Sequence, residues 1–475
     1  MLRRVRADEE APATRVRVAD ARTPLPFVHG LEFNAPVHGA WNIVHIGMQV
    51  PEAHQIYVCS DNCMRGVVMT ADEMGAQDRF SCVTIDERDL LVGSLEDVTI
   101  EGVTDVLRRL PALPPCVLLF TVCVHLFTGC DLDYVYRTLG ERFPEVRFCR
   151  CYMDPITQKT GPTPEQKLRH AVLAPIEALP AEKGVVNLLG CDVPQAPGAS
   201  DLACMVERAG LRLREAQGCA TYREFLGLGD GAANICAYPT GRAGVRDISE
   251  RLGRPFCYAD PSLWPDQIEV ERGRVLGLLR DVPRGLGGGD ASELSEAVED
   301  AERARLRRAC DERLRALADV LGGVEVAIDY TAHPRPLSMA RLLLDHGIDV
   351  RRVYLEAIAD EEEGDLAWLA ERHPDLLLCS TTRPELRALG ARQAGAASAA
   401  SPRVLAVGQK AAWFEGTPHF VNMVEGGGLW GFLGILGLCE RMEEAWRTER
   451  DLRDVVPRKG LGCASVCATA DWRPL

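Results

Sequence analysis

GVEVAIDYTAHPRPLSMARLLLDHGIDVRRVYLEA, residues 323–357, decides the fold class. GVEVAIDYT reads as a buried strand, PLSMARLLLDHG as a helix ending at a glycine, and IDVRRVYLEA as the next strand. Strand, helix and strand at this spacing make a βαβ unit, whose two strands run parallel. The pattern continues downstream. EEGDLAWLAERHP and DLLLCSTT, residues 362–382, repeat helix and strand. RVLAVGQ and HFVNMVEGGG precede a C-terminal helix, LWGFLGILGLCERMEEAWRTER, residues 429–450.

Two upstream blocks carry the same alternation. In the first, CVLLFTVCV (116–124) is a buried strand, DLDYVYRTLGERF (131–143) a helix and EVRFCRCYM (145–153) the next strand. EGVTDVLRRLPALPP is the helix leading in. In the second, GVVNLLGCDV is a strand and ASDLACMVERAGLRL an amphipathic helix. GAANICAYP and GVRDISERLGRPFCYA continue the alternation, and the helical IEVERGRVLGLLRDV closes the block. PRGLGGGDASE has the composition of a flexible linker. The expected fold is α/β, with three doubly wound parallel-sheet domains of Rossmann-like type. The expected divisions are 1–180 (an N-terminal arm and first domain), 181–320 (second domain and helical linker) and 321–475 (third domain, C-terminal helix and tail).

The bulk numbers agree with three domains. The chain has 475 residues, 47% of them hydrophobic and 26% charged, with a formal net charge of -15. That is the composition of a soluble globular protein, and roughly 150 residues per domain gives about three. The acidic balance argues against nucleic acid or an anionic membrane as partner. No run of about 18 apolar residues predicts a membrane span; LWGFLGILGLC is too short. MLRRVRADEEAPATRVRVADARTPLP lacks the apolar stretch of a signal peptide and is expected to be a mobile or draped arm. A cytoplasmic location is the corresponding expectation.

Phosphate-loop and zinc-protease motifs are absent, so no ATP site is expected in this chain. GLGDGA (227–232) and GLGGGD (285–290) are glycine-rich but read as turns. That leaves the 18 cysteines. In a reducing compartment thiols stay free, become core or bind metal. Cys116, Cys191, Cys204, Cys236, Cys257, Cys310, Cys379 and Cys439 sit among apolar residues and read as core. Cys59 and Cys63, in QIYVCSDNCMRGVV, stand four apart beside apolar structure, and either a cluster or a zinc pair suits that spacing. The one other CxxxC is Cys463–Cys467 in the tail. Cys123 stands where its strand runs out, and Cys130 directly precedes the helix expected from Asp131. Loops beyond the carboxyl ends of parallel strands build sites. A helix N-terminus favours the negative charge of a thiolate-ligated iron–sulfur cluster.

Together these stretches resemble nitrogenase component 1 and its relatives, over nearly the whole chain. FTVCVHLFTGCDLDYV resembles that superfamily's strand, cysteine and turn into a helix, with Cys123 at the cysteine and Cys130 where an acid is usual. HQIYVC supplies Cys59 at a second family cysteine, and RFCRCYMDPITQKTG brings Cys151 near another. VVNLLG, RDISERLGRPF and VEVAIDYTAHPRPLSMARLLLDHGIDV resemble the second and third domains. The resemblance implies three α/β domains and an iron–sulfur cluster, [4Fe–4S] or larger. It implies a homodimer or paralogous heterodimer, and an ATP-hydrolysing iron protein as electron donor. Cys59 and Cys123 would be ligands, with Cys63, Cys130 and Cys151 as further candidates.

Departures are equally informative. Leu31, in HGLEFNAP, stands where the family has its first cluster cysteine, so Cys63 or Cys130 would have to supply a third thiolate. Trp430 stands where the molybdenum–iron cofactor has its histidine, and Cys236 does not cleanly match that cofactor's cysteine. Dinitrogen reduction is therefore not expected. The resemblance leaves a reductase of another substrate, held between domains against VEGGGLWGF, or a scaffold for cofactor assembly; a zinc or plain thiol protein is the remaining reading. His38, His45 and His54 flank the Cys59 loop and could donate to substrate or cluster sulfur, although a structural role is the commoner one. Arg65 would offset cluster charge or lie on the surface, and the tail would bring Cys463 and Cys467 to a partner or stay disordered.

Overall fold

The structure is a computed structural model and describes residues 14–27, 37, 43–93, 95–153, 162–283, 296–383, 386 and 403–452. Its first strand, β1 (Arg15–Arg17), belongs to the N-terminal arm. Four strands follow in the first block: β2 (His54–Cys59), β3 (Phe80–Thr84), β4 (Cys116–Val122) and β5 (Arg147–Met153). They form one parallel sheet in the order β3-β2-β4-β5. β2 and β4 are buried along their whole length, because helices cover both faces and an unbroken apolar run suits a strand with no wet side. Tyr57, Leu118, Phe120 and Cys151 pack on one face; Ile56, Val58, Val117 and Leu119 pack on the other.

The second block repeats the design. β6 (Glu182–Leu188), β7 (Arg212–Glu215), β8 (Gly231–Cys236) and β9 (Phe256–Tyr258) form a parallel sheet in the order β7-β6-β8-β9. Helix Arg242–Leu252 sends Val245 and Ile248 into the core of the first block, so the two blocks share apolar packing.

In the third block β10 (Glu325–Asp329), β11 (Val350–Tyr354), β12 (Leu377–Cys379), β13 (Val404–Val407) and β14 (Phe420–Val421) are parallel. The full order is β1-β12-β11-β10-β13-β14. β1 runs antiparallel along β12, with Arg15 opposite Cys379. The arm, grouped by sequence with the first block, thus pairs with the third. It covers an edge whose N–H and C=O groups would otherwise lie open.

Two long helices hold this block together. Helix Glu296–Leu321 presents Leu306, Cys310, Leu314, Leu317 and Leu321, spaced three and four apart on one stripe. The stripe meets Phe432, Ile435, Leu438 and Met442 of helix Gly431–Arg447. Cys204 is half-buried, and the other seven cysteines read as core are buried. GLGDGA runs from a helix end into β8, a turn as expected; GLGGGD lies outside the described residues. Among the described residues no helix is long and apolar enough to cross a membrane.

β10 ends in a turn built by Asp329, whose buried carboxylate accepts the N–H groups of Thr331 (2.9 Å), Ala332 (3.1 Å) and Ala411 (2.7 Å). Gly408 follows β13 at φ 112°, and a Cβ there would run into the same carboxylate. Glu362 plays a similar part for helix Pro336–Asp345, accepting the N–H of Leu337 at 2.7 Å. Burial pushes its carboxyl up to about 8, against the pull of Arg335.

The folded chain therefore holds a proton on Glu362 that the unfolded chain releases near 4.5. This contribution to stability is whole below that value and is lost as pH rises through about 8. Glu362→Gln keeps an acceptor for Leu337. Urea melts at about pH 5 and pH 8 should show the parent losing roughly 1–3 kcal/mol relative to the variant.

Candidate functional site

β2 and β4 are hydrogen-bonded neighbours, with Tyr57 opposite Phe120 and their rings stacked at 4.1 Å. Cys59 is the last residue of β2, and Cys123 follows the last residue of β4. Two thiols thus leave the same carboxyl edge from adjacent strands, one register step apart. Cys59 lies within the strand rather than in the loop expected for it, and it is fully buried. Burial pushes its thiol up to about 12, with smaller effects from Cys63 and Cys82. Metal coordination is what would deprotonate such a thiol outright.

Cys63 sits in the first turn of helix Asp61–Glu73 and is exposed. Its N–H donates to the Ser60 carbonyl at 3.0 Å, and the Ser60 hydroxyl donates to its sulfur at 3.5 Å. Cys123 does not lie in a loop either; it opens a five-residue helix, Cys123–Phe127, and is half-buried. The Val122 N–H donates to Nδ1 of His125 at 3.3 Å, which ties the strand to that helix.

Cys130 is set apart. The expected helix does begin after Asp131, but its N-terminus is no open anion seat. Asp131 caps it by accepting the Tyr134 N–H at 2.9 Å, and the Asp131 N–H donates to Glu96 at 2.6 Å. Two carboxylates already occupy that end. The Cys130 thiol packs against the face of the sheet opposite Cys59 and is pushed up to about 12, first by burial and then by Glu96. Cys151 is wholly buried in β5, within the same core as Cys59 and Phe120, and burial raises its thiol too.

His54 begins β2 at the far end from Cys59; its Nε2 lies 2.8 Å from the Ser81 hydroxyl, and burial lowers it to about 4. His45 is buried in helix Ile43–Met48. Leu31, His38, the Arg65 side chain, Cys463 and Cys467 lie outside the described residues.

Among the described residues no three His, Cys, Asp or Glu side chains come together as a metal site. A thiolate-held cluster takes about four such ligands, so the two thiols at the β2–β4 edge are not a complete cage. Beside them Leu126 and Phe127 stand 60% and 67% exposed.

Sequence reasoning missed a polar junction where the three blocks meet. Arg169 pairs with Asp192 and with Glu165 (2.9 Å), and Gln49 donates to Asp192 at 2.7 Å. Arg335 donates to Asp260 at 2.6 Å, beside His333, whose imidazole burial lowers to about 4. Glu425 adopts φ 53° and heads a run of three left-handed glycines. The hollow beside this loop is about 20 Å³, lined by Asp192, Tyr238, Pro334 and Glu425. It has room for roughly one water. Trp430, just beyond, is buried in the core of the second block. The charge pairs lie up to 75 residues apart in sequence, which is why no local motif announces them.

Comparison with known proteins places this geometry. Sixty-four chains of solved structures match the fold. A solved structure of nitrogenase Cp1 at pH 6.5 matches with a TM-score of 0.60 and 10% identity, over 94% of this chain and 97% of that one. Nitrogenase Cp1 at pH 5 matches at 0.51 and 12%, over 95% and 99%. At such identities the likeness concerns the fold. No curated protein matches by sequence. The model of the nitrogenase component 1 type oxidoreductases matches residues 40–447, and the chain belongs to that family.

Proposed function

We propose that this chain is an iron–sulfur subunit that accepts electrons from an ATP-hydrolysing iron protein and reduces a substrate other than dinitrogen. The observation that carries the proposal is the placement of Cys59 and Cys123 at the carboxyl ends of adjacent parallel strands, bordered by exposed Leu126 and Phe127. Cys59 and Cys123 would hold the cluster, with Cys63 the nearest further thiol on the Cys59 side. A cluster held there, [4Fe–4S] or larger, supplies single-electron transfer. The remaining ligands would come from a second copy or a paralogue across the Leu126–Phe127 face.

The rest of the chain does positioning work. The stacked Tyr57 and Phe120 fix the two strand ends relative to each other. Apolar packing around Cys59 keeps water from its sulfur. Trp430 supports the exclusion of dinitrogen: its ring is packed and its N–H already donates to the Ala259 carbonyl at 3.2 Å, which leaves no ligand at that place.

Anaerobic purification from a cytoplasmic host is expected to give a brown protein with sulfur-to-iron absorption in the visible and stoichiometric iron. An iron-free, colourless preparation would overturn the proposal. With a reconstituted iron protein, bleaching of the absorption should require ATP.

A further inference from the structure

A larger hollow lies away from the three-block junction. It runs beside β5, between that strand, helix Pro164–Leu173 and helix Arg242–Leu252, with a volume of about 910 Å³. A second hollow of about 400 Å³ shares Arg147, His170 and Asp247 with it, so the two form one elongated groove.

The two ends of the groove differ in chemistry. At the carboxyl end of β4 its walls are Val122, Leu126 and Leu132, which are apolar. At the start of β5 stand Arg147 and Phe148, opposite Cys116 and Val117 of β4, and Lys167 lies on helix Pro164–Leu173. Arg150 is a third cation, already held by Asp133 at 2.6 Å, and Asp247 is the one carboxylate in the lining of the larger hollow. Arg147 makes no ion pair among the described residues. The smaller hollow adds Arg251 and Glu177, so cations outnumber carboxylates four to two in the joined lining, on a chain of net charge -15; an excess of one sign in a cleft draws ligands of the other. Sites for small molecules are typically about 300–1,000 Å³, apolar, with a few placed polar groups.

We infer that this groove binds an elongated amphipathic anion, its apolar body over Val122 and Leu132 and its carboxylate or sulfonate against Arg147. Val122 and His125 flank Cys123 in sequence and both line the groove, so the apolar end of the ligand lies beside the Cys123 strand end. Binding itself does not depend on a cluster being present.

The test uses two fluorescent probes on the full chain. Anilinonaphthalene sulfonate has an apolar body and an anionic group; N-phenylnaphthylamine has the same body without the charge. The sulfonate should bind one per chain and more tightly than the neutral probe. Arg147→Gln should weaken the sulfonate roughly three- to tenfold and leave the neutral probe unchanged.

Ala174, at the end of helix Pro164–Leu173, and Ala243, in helix Arg242–Leu252, are exposed residues of the lining. Ala174→Trp and, separately, Ala243→Trp should each weaken both probes more than about tenfold, with unchanged melting temperature. Two independent, exposed wall positions guard against a variant that fails to fold. Absent sulfonate binding in the parent would overturn the inference. So would equal affinity of all three variants and the parent, which would place the probe on another apolar patch. Iron content is measured separately, so a colourless protein that binds the sulfonate would sink the cluster and keep the groove.

Discussion

Trp430→Ala is expected to cost about 3–5 kcal/mol of stability, the range for truncating a buried large aromatic. Trp430 follows β14 in the chain, yet its ring is buried among Leu202, Val275 and Leu279 of the second block. Its N–H donates to the Ala259 carbonyl at 3.2 Å, and its own carbonyl accepts the Asp201 N–H at 3.0 Å. The Asp201 carboxylate in turn accepts the N–H groups of Phe432 (2.9 Å) and Leu433 (3.1 Å), the first turn of the C-terminal helix. One residue thus fastens that helix to the second block. Removing the indole leaves a cavity, an unpartnered carbonyl and a loosened joint together. Trp430→Phe should recover most of the packing but not the hydrogen bond, and cost about 1–2 kcal/mol. Urea melts read by circular dichroism check both values. The alanine variant should also unfold over a broader range, because the second block loses its coupling to the third.

The second large effect concerns the thiols. If Cys59 and Cys123 ligate a cluster, Cys123→Ala and Cys59→Ala should each lose most bound iron, and ATP-dependent reduction should fall by at least roughly a hundredfold. Cys130→Ala and Cys151→Ala are the internal controls. Cys130 lies on the opposite face beside Glu96, and Cys151 lies inside the core. Both should keep iron, with Cys151→Ala losing only a little stability through the small cavity it makes. Cys63→Ala decides whether the exposed thiol is a third ligand. Iron analysis of anaerobically purified variants reads all five. Full iron in Cys123→Ala would remove that assignment whatever the activity does.

The same residues show how far the amino-acid sequence is legible by itself. The apolar run 116–122 is a central strand, and the helix from Asp131 begins where its capping residue stands. Cys123 is recognisable as a strand-end residue, since a strand's end is marked by the change from apolar to polar within a few positions, whereas Cys59, expected in a loop, is the last residue of its strand. Which face each thiol takes is not legible. Cys123 turning straight into a short helix reverses the chain between it and Cys130. No alternation carries across such a turn, so Cys130 lands on the opposite side from Cys59.

What the sequence alone determined is therefore the local and periodic part. Three alternating α/β blocks and their parallel strands rest on patterns closed within some 35 residues, and the resemblance to nitrogenase component 1 rests on the order of such stretches along nearly the whole chain. Only the tertiary structure decided the pairing of β1 with β12, the burial of Trp430 in the second block, the ion pairs at the three-block junction and the groove beside β5. Each of these joins residues from different blocks. Long-range contacts are selected by complementary shape and charge in the folded core, and neither leaves a periodic trace along the chain.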